Sequence, residues 1–100
     1  MDFELIWTEP AVTDLEAVIR YVSARSPVAA EALRLEILNS VEVLVRFPWI
    51  GPAYEHDPAG RAREIACGSY RIFYRVQDSQ RRIEILSVWH GSRHEPNLPR

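Results

Sequence analysis

Residues 83–93, Ile-Glu-Ile-Leu-Ser-Val-Trp-His-Gly-Ser-Arg, most limit what this 100-residue chain can fold into. Ile83, Ile85, Leu86, Val88 and Trp89 are β-branched, aromatic or otherwise apolar, and neither Pro nor Gly interrupts them before Gly91. The segment therefore reads as a strand. Its apolar residues occupy both parities, Ile83, Ile85 and Trp89 on one and Leu86 and Val88 on the other. A strand with one wet face alternates cleanly, and one covered on both faces does not. The rest of the chain must supply that second cover. The strand ends in His90, Gly91, Ser92 and Arg93, a polar cluster placed where strands deliver functional groups to a loop.

The other elements follow from punctuation and period. Phe3 to Thr8 alternates as a short strand, with Phe3, Leu5 and Trp7 on one side. Thr8, Glu9 and Pro10 predict a helix start with Thr8 as N-cap. Its apolar stripe is Val12, Leu15, Val18 or Ile19, and Val22, and it should stop near Arg25, ahead of Pro27. Ser26 and Pro27 repeat the cap for a second helix over about Val28 to Phe47. That helix carries two apolar lines. Ala30, Leu33, Ile37, Val41 and Leu44 form the main one; Leu35, Leu38 and Val45 form the second. Two lines imply two neighbours, the first helix and the sheet, or one line left for a partner. The short link makes the helices an antiparallel hairpin, and Leu15, Ile19, Leu33, Ile37 and Val41 are its expected core. A Pro- and Gly-flanked loop follows, with Glu55, His56 and Asp57 as a metal or acid–base candidate set read mainly as solvated loop residues. Ala62–Ala66 and Tyr70–Val76 then form strands joined by Gly68-Ser69, with Gln77–Gln80 leading into the final strand. The order is β-α-α-β-β-β in one α+β domain, residues 1–100, with the hairpin on one face of the sheet. The opposite face is expected to expose Arg71, Phe73 and Arg75.

Composition narrows the function. The apolar fraction is 47% and the charged fraction 26%, as in ordinary globular chains. No apolar run nears the roughly 20 residues that span a bilayer, and no N-terminal signal pattern is visible, so the expectation is a cytoplasmic protein with no membrane role. Cys67 is the single cysteine, which excludes an internal disulfide and a multi-thiolate metal site; no cofactor or metal is expected. The net charge of −2 is uneven. Residues 1–60 hold four Arg against ten acids, a net −6, and residues 61–100 hold eight Arg against four acids, a net +4. The second half therefore reads as an anion-facing surface. All 12 basic residues are Arg, whose planar guanidinium suits bidentate contact with carboxylate or phosphate.

Several stretches together resemble the RelE/ParE toxins of type II toxin–antitoxin pairs, also called plasmid-stabilisation proteins. They are I-W-T-E-P-A-V-T-D-L-E-A-V-I-R-Y-V, S-P-V-A-A, F-P-W-I-G, R-E-I-A-C-G-S-Y-R-I-F-Y-R-V and I-E-I-L-S-V-W-H-G-S-R. The resemblance covers nearly the whole chain and implies a helical hairpin on an antiparallel sheet, with the first strand beside the last. It implies one of two activities. RelE-like members cut mRNA on the ribosome, and ParE-like members bind and poison DNA gyrase. Cutting RNA needs a base, an acid and cations around the phosphate. His90, Glu64 and Tyr70 are the acid–base candidates, and Arg63, Arg71 and Arg93 the phosphate-holding ones. Each also has a structural reading: His90 as a strand-end hydrogen bonder, Tyr70 and Arg71 as fold residues, Arg63 and Glu64 as a cross-strand ion pair. The acidic chain and its H-G-S-R ending are more similar to the ParE branch, with no catalytic residue. RelE-like mRNA cleavage is the alternative, and a degenerate toxin that only binds its antitoxin is a third reading. The resemblance also implies a cognate antitoxin, ParD-like or related, whose folding tail brings apolar and acidic groups. Its surface, or that of the target, is expected at Arg71, Phe73, Arg75, Ile85, Trp89, His90 and Arg93.

Overall fold

The computed structural model describes residues 2–91, so Ser92 and Arg93 lie outside the described residues. Strand β1 (Glu4–Trp7) leads into helix α1 (Glu9–Ser23) and helix α2 (Pro27–Arg46). Strands β2 (Ala62–Cys67), β3 (Tyr70–Gln77) and β4 (Arg82–His90) complete the fold. The sheet order is β1-β4-β3-β2. The first strand lies beside the last, as expected, and runs parallel to it, whereas β2–β3 and β3–β4 are antiparallel. The sheet is therefore mixed rather than wholly antiparallel.

Both helix starts carry the caps the sequence requires. Thr8 Oγ1 accepts from Ala11 N at 3.4 Å and donates to Ile85 O at 2.6 Å, so the cap also ties α1 to β4. Ser26 Oγ accepts from Ala29 N at 3.1 Å. Helix α1 ends at Ser23, two residues short of the expected Arg25. The β2–β3 hairpin turns on Gly68 at φ 59°, a left-handed conformation that favours glycine.

The main core lies between the helices and the sheet. Ile37, Val41 and Leu44 from α2 pack there with Phe3, Ala11, Cys67, Ile72, Tyr74, Ile83, Ile85 and Val88. The main line of α2 is thus buried as expected, except that Leu33 is half-buried. The second line is not buried as a unit: Leu35 is 48% exposed, and Leu38 and Val45 are half-buried. On α1 only Ala11 is fully buried, so Leu15 and Ile19 are boundary residues rather than core.

The other sheet face is where the structure corrects the sequence reading. Phe73 was expected at the surface and has no exposure. It joins Tyr54, Ala62 and Leu86 in a second cluster, with Trp89 packed against it. The cover comes from the loop after α2. Tyr54 N donates to Ala62 O at 2.8 Å, Glu64 N donates to Pro52 O at 3.0 Å, and the Tyr54 ring meets Phe73 edge-on at 4.7 Å. Asp57 fastens the far end, accepting from the N–H groups of Ala59, Arg61 and Ala62. These N–H groups and the Arg75 charge outweigh the upward push of burial and hold its carboxyl below the usual range. At the near end Gly51 N donates to the Tyr74 hydroxyl at 2.9 Å. A Cβ on Gly51 would stand 2.4 Å from Glu64 O, so only glycine allows this approach.

A β-bulge explains the mixed parity of β4. Phe73 pairs with Ser87 and Tyr74 with Ile85, which leaves Leu86 as the extra residue. Ile83 and Ile85 face the main core before the bulge, and Val88 faces it after. Leu86 turns to the second cluster. Ile85, expected to offer apolar surface to a partner, is instead fully buried under the helices. Helix α1 stabilises the bulge: Asp14 Oδ2 accepts from Ser87 Oγ at 2.8 Å and from Val88 N at 3.1 Å.

Candidate functional site

On the sheet face away from the helices, Arg71 and Arg75 both have internal partners. Arg71 donates through Nε and Nη2 to Glu64 Oε1 at 2.9 and 2.8 Å. Its guanidinium also lies 5.1 Å from the Phe73 ring centre and 5.7 Å from that of Tyr54. Arg75 donates to Glu84 Oε1 at 2.9 Å through both Nε and Nη2, and Gln77 Nε2 donates to the same oxygen at 2.8 Å. Arg71 and Arg75 were expected to face a partner or target, and both instead meet acids of the chain itself. Strand register supplies them, Glu84 directly opposite Arg75 and Glu64 on the strand beside Arg71.

Arg63 does not pair with its sequence neighbour Glu64. Adjacent strand residues point to opposite faces. Its Nε donates to Gly51 O at 2.6 Å, its Nη2 to Trp49 O at 3.3 Å, and its guanidinium lies 5.3 Å from the Trp49 ring centre. It holds the loop.

Of the expected surface residues, Phe73 and Ile85 are buried and Arg93 lies outside the described residues. Trp89 is half-buried, with an Nε1 that has no hydrogen-bond partner among the described residues. Tyr70 and His90 come together, ring centres 5.1 Å apart and nearly perpendicular. The Glu55–His56 pair is an exposed contact at 3.7 Å, and no group of metal-ligating residues forms among the described residues.

What the sequence reading missed lies on the helix side. Tyr70 and His90 line a pocket of about 300 Å³ with Asp14, Ala17, Val18, Tyr21, Val88 and Trp89. Asp14 lies off the apolar stripe of α1, and nothing local marks its link to Ser87, 73 positions away.

The model of the "ParE toxin of type II toxin-antitoxin system, parDE" matches residues 5–95. The chain belongs to this family. As a ParE-family protein it is a type II toxin of the ParE/RelE superfamily. A chain of the ParDE system of Pseudomonas aeruginosa shares the fold at TM-score 0.72 and 24% identity, over 88% of this chain and 95% of that one. One from the RelBE toxin–antitoxin complex of Mycobacterium tuberculosis superposes at TM-score 0.66 and 22% identity, over 90% of this chain and 99% of that one. Isolated Escherichia coli RelE superposes at TM-score 0.65 and 19% identity, over 93% and 88%. A search of curated proteins finds no match.

Proposed function

We propose that this ParE-family toxin acts in the cytoplasm by binding and poisoning DNA gyrase, and that a cognate antitoxin, ParD-like or related, neutralises it. The observation that carries the choice of target is the engagement of Arg63 and Arg71. A ribonuclease needs guanidinium groups available to a crowded phosphate. Here Arg63 donates to the Gly51 and Trp49 carbonyls, and Arg71 is held by Glu64. The net charge of −2 also disfavours docking on ribosomal RNA, which rewards basic surfaces.

Antitoxin binding is supported by relatives solved as toxin–antitoxin complexes and by apolar side chains left outside both cores. Leu35, Val43, Phe47, Trp49 and Ile50 are each roughly half exposed on and just after α2. An amphipathic segment laid over them removes that area from water.

The test measures gyrase supercoiling and ribosome-dependent mRNA cleavage with the same purified protein. Inhibition of supercoiling without mRNA cleavage, unchanged in rank by His90→Ala, is the expected result. Ribosome-dependent cleavage that His90→Ala abolishes would replace this reading with RelE-like endonuclease chemistry, with Tyr70 and His90 as its acid–base pair.

A further inference from the structure

The pocket between α1 and the end of the sheet has a composition that the gyrase reading does not use. Four aromatic residues line it, Tyr21, Tyr70, Trp89 and His90, with apolar Ala17, Val18 and Val88. One carboxylate, Asp14, stands among them. Its Oδ2 is taken by Ser87 and Val88, and its Oδ1 has no hydrogen-bond partner among the described residues. The volume, about 300 Å³, lies at the lower bound of small-ligand clefts, which run from about 300 to 1,000 Å³. It fits a side chain rather than a large ligand.

Aromatic faces with an adjacent carboxylate attract a cation: the ring quadrupole and the negative charge act together. The wall that α1 presents to the pocket, Asp14, Ala17, Val18 and Tyr21, carries the Asp14 charge and no basic residue. Tyr21 already accepts such a group, with the Arg25 guanidinium 5.1 Å from its ring centre. Guanidinium suits the site better than ammonium, because it is planar, stacks on rings and gives up its hydration more readily. We infer that this pocket receives the arginine side chain of a protein partner. The apolar residues around it take the arginine's methylene stem.

The probe is N-acetyl-arginine amide, titrated into the 15N-labelled toxin and followed by NMR. N-acetyl-norleucine amide and adenosine monophosphate serve as parallel arms. Saturable shifts at Ala17, Val18, Tyr21 and Val88 are expected with the arginine probe only. Tyr21→Ala, at a side chain that is 59% exposed, should weaken binding at least about twofold. Asp14→Asn keeps an acceptor for Ser87 and Val88, removes the charge and should weaken binding about fivefold or more. An equal response to norleucine amide would make the pocket merely apolar, and a stronger one to adenosine monophosphate would make it a nucleobase site. Either result overturns the inference, as does arginine binding unchanged in both variants. Failure of the arginine arm leaves the supercoiling result untouched, so this inference and the target reading fail separately.

Discussion

Asp14→Ala should destabilise the fold out of proportion to its place on a half-exposed helix face. The carboxylate accepts two hydrogen bonds on one oxygen, from Ser87 Oγ at 2.8 Å and Val88 N at 3.1 Å. Both donors belong to buried residues, Ser87 at 6% exposure and Val88 at 3%. A bond to a charged acceptor contributes about 1.5–3 kcal/mol, and an orphaned buried donor costs about 1–3 kcal/mol. Asp14 is only half-buried, so water reaches part of the gap and the two losses do not add fully. The net expectation is about 2–4 kcal/mol for Asp14→Ala and about 1 kcal/mol for Asp14→Asn, which retains an acceptor oxygen. Urea unfolding followed by circular dichroism reads this as a lower midpoint at unchanged slope. A double-mutant cycle with Ser87→Ala should return a coupling of about 1 kcal/mol. A loss below about 0.5 kcal/mol for Asp14→Ala would refute the role of α1 in holding the bulge. Equal losses for the Ala and Asn variants would mean that charge, not hydrogen bonding, matters there.

Phe73→Ala should cost about 3–5 kcal/mol, because the ring is fully buried beneath Tyr54; a surface-like change under about 0.5 kcal/mol would restore the exposed reading of that face. The Asp57 carboxyl is held below its ordinary pKa in the folded state, so its contribution is present above the unfolded-state pKa of about 3.9 and is lost as pH falls through the lower folded-state value. Asp57→Asn should flatten the acid limb of stability against pH, and an unchanged limb would contradict this. Burial raises the Tyr74 phenol against the lowering effect of the Gly51 N–H and Arg63. Its contribution is therefore complete below pH about 10 and fades as pH rises through the folded-state value. Tyr74→Phe should lose stability at neutral pH, since Gly51 N–H loses its acceptor, yet show a shallower alkaline limb in pH-dependent thermal melts.

Local chemistry alone determined much of this protein. Thr8 and Ser26 cap helices because their hydroxyls reach backbone N–H groups three residues on. Gly68 turns a hairpin because it tolerates positive φ. Period-two alternation put Ile72 and Tyr74 opposite Phe73. The family was equally legible, since order and spacing of motifs are properties of the chain itself. The polar face was not. Whether Arg71 meets a phosphate or Glu64 depends on which strand lies beside it, and that is set by pairing between segments, not by neighbours in sequence. Phe73 and Ile85 were misplaced for related reasons. A polar loop that reads as solvated folded back to cover one, and a single-residue bulge at Leu86 lay between the core-facing positions before and after it. The pocket containing Asp14, Tyr21, Tyr70 and His90 joins residues from both ends of the chain. No local pattern encodes it, because its walls exist only once α1 packs across the end of β4.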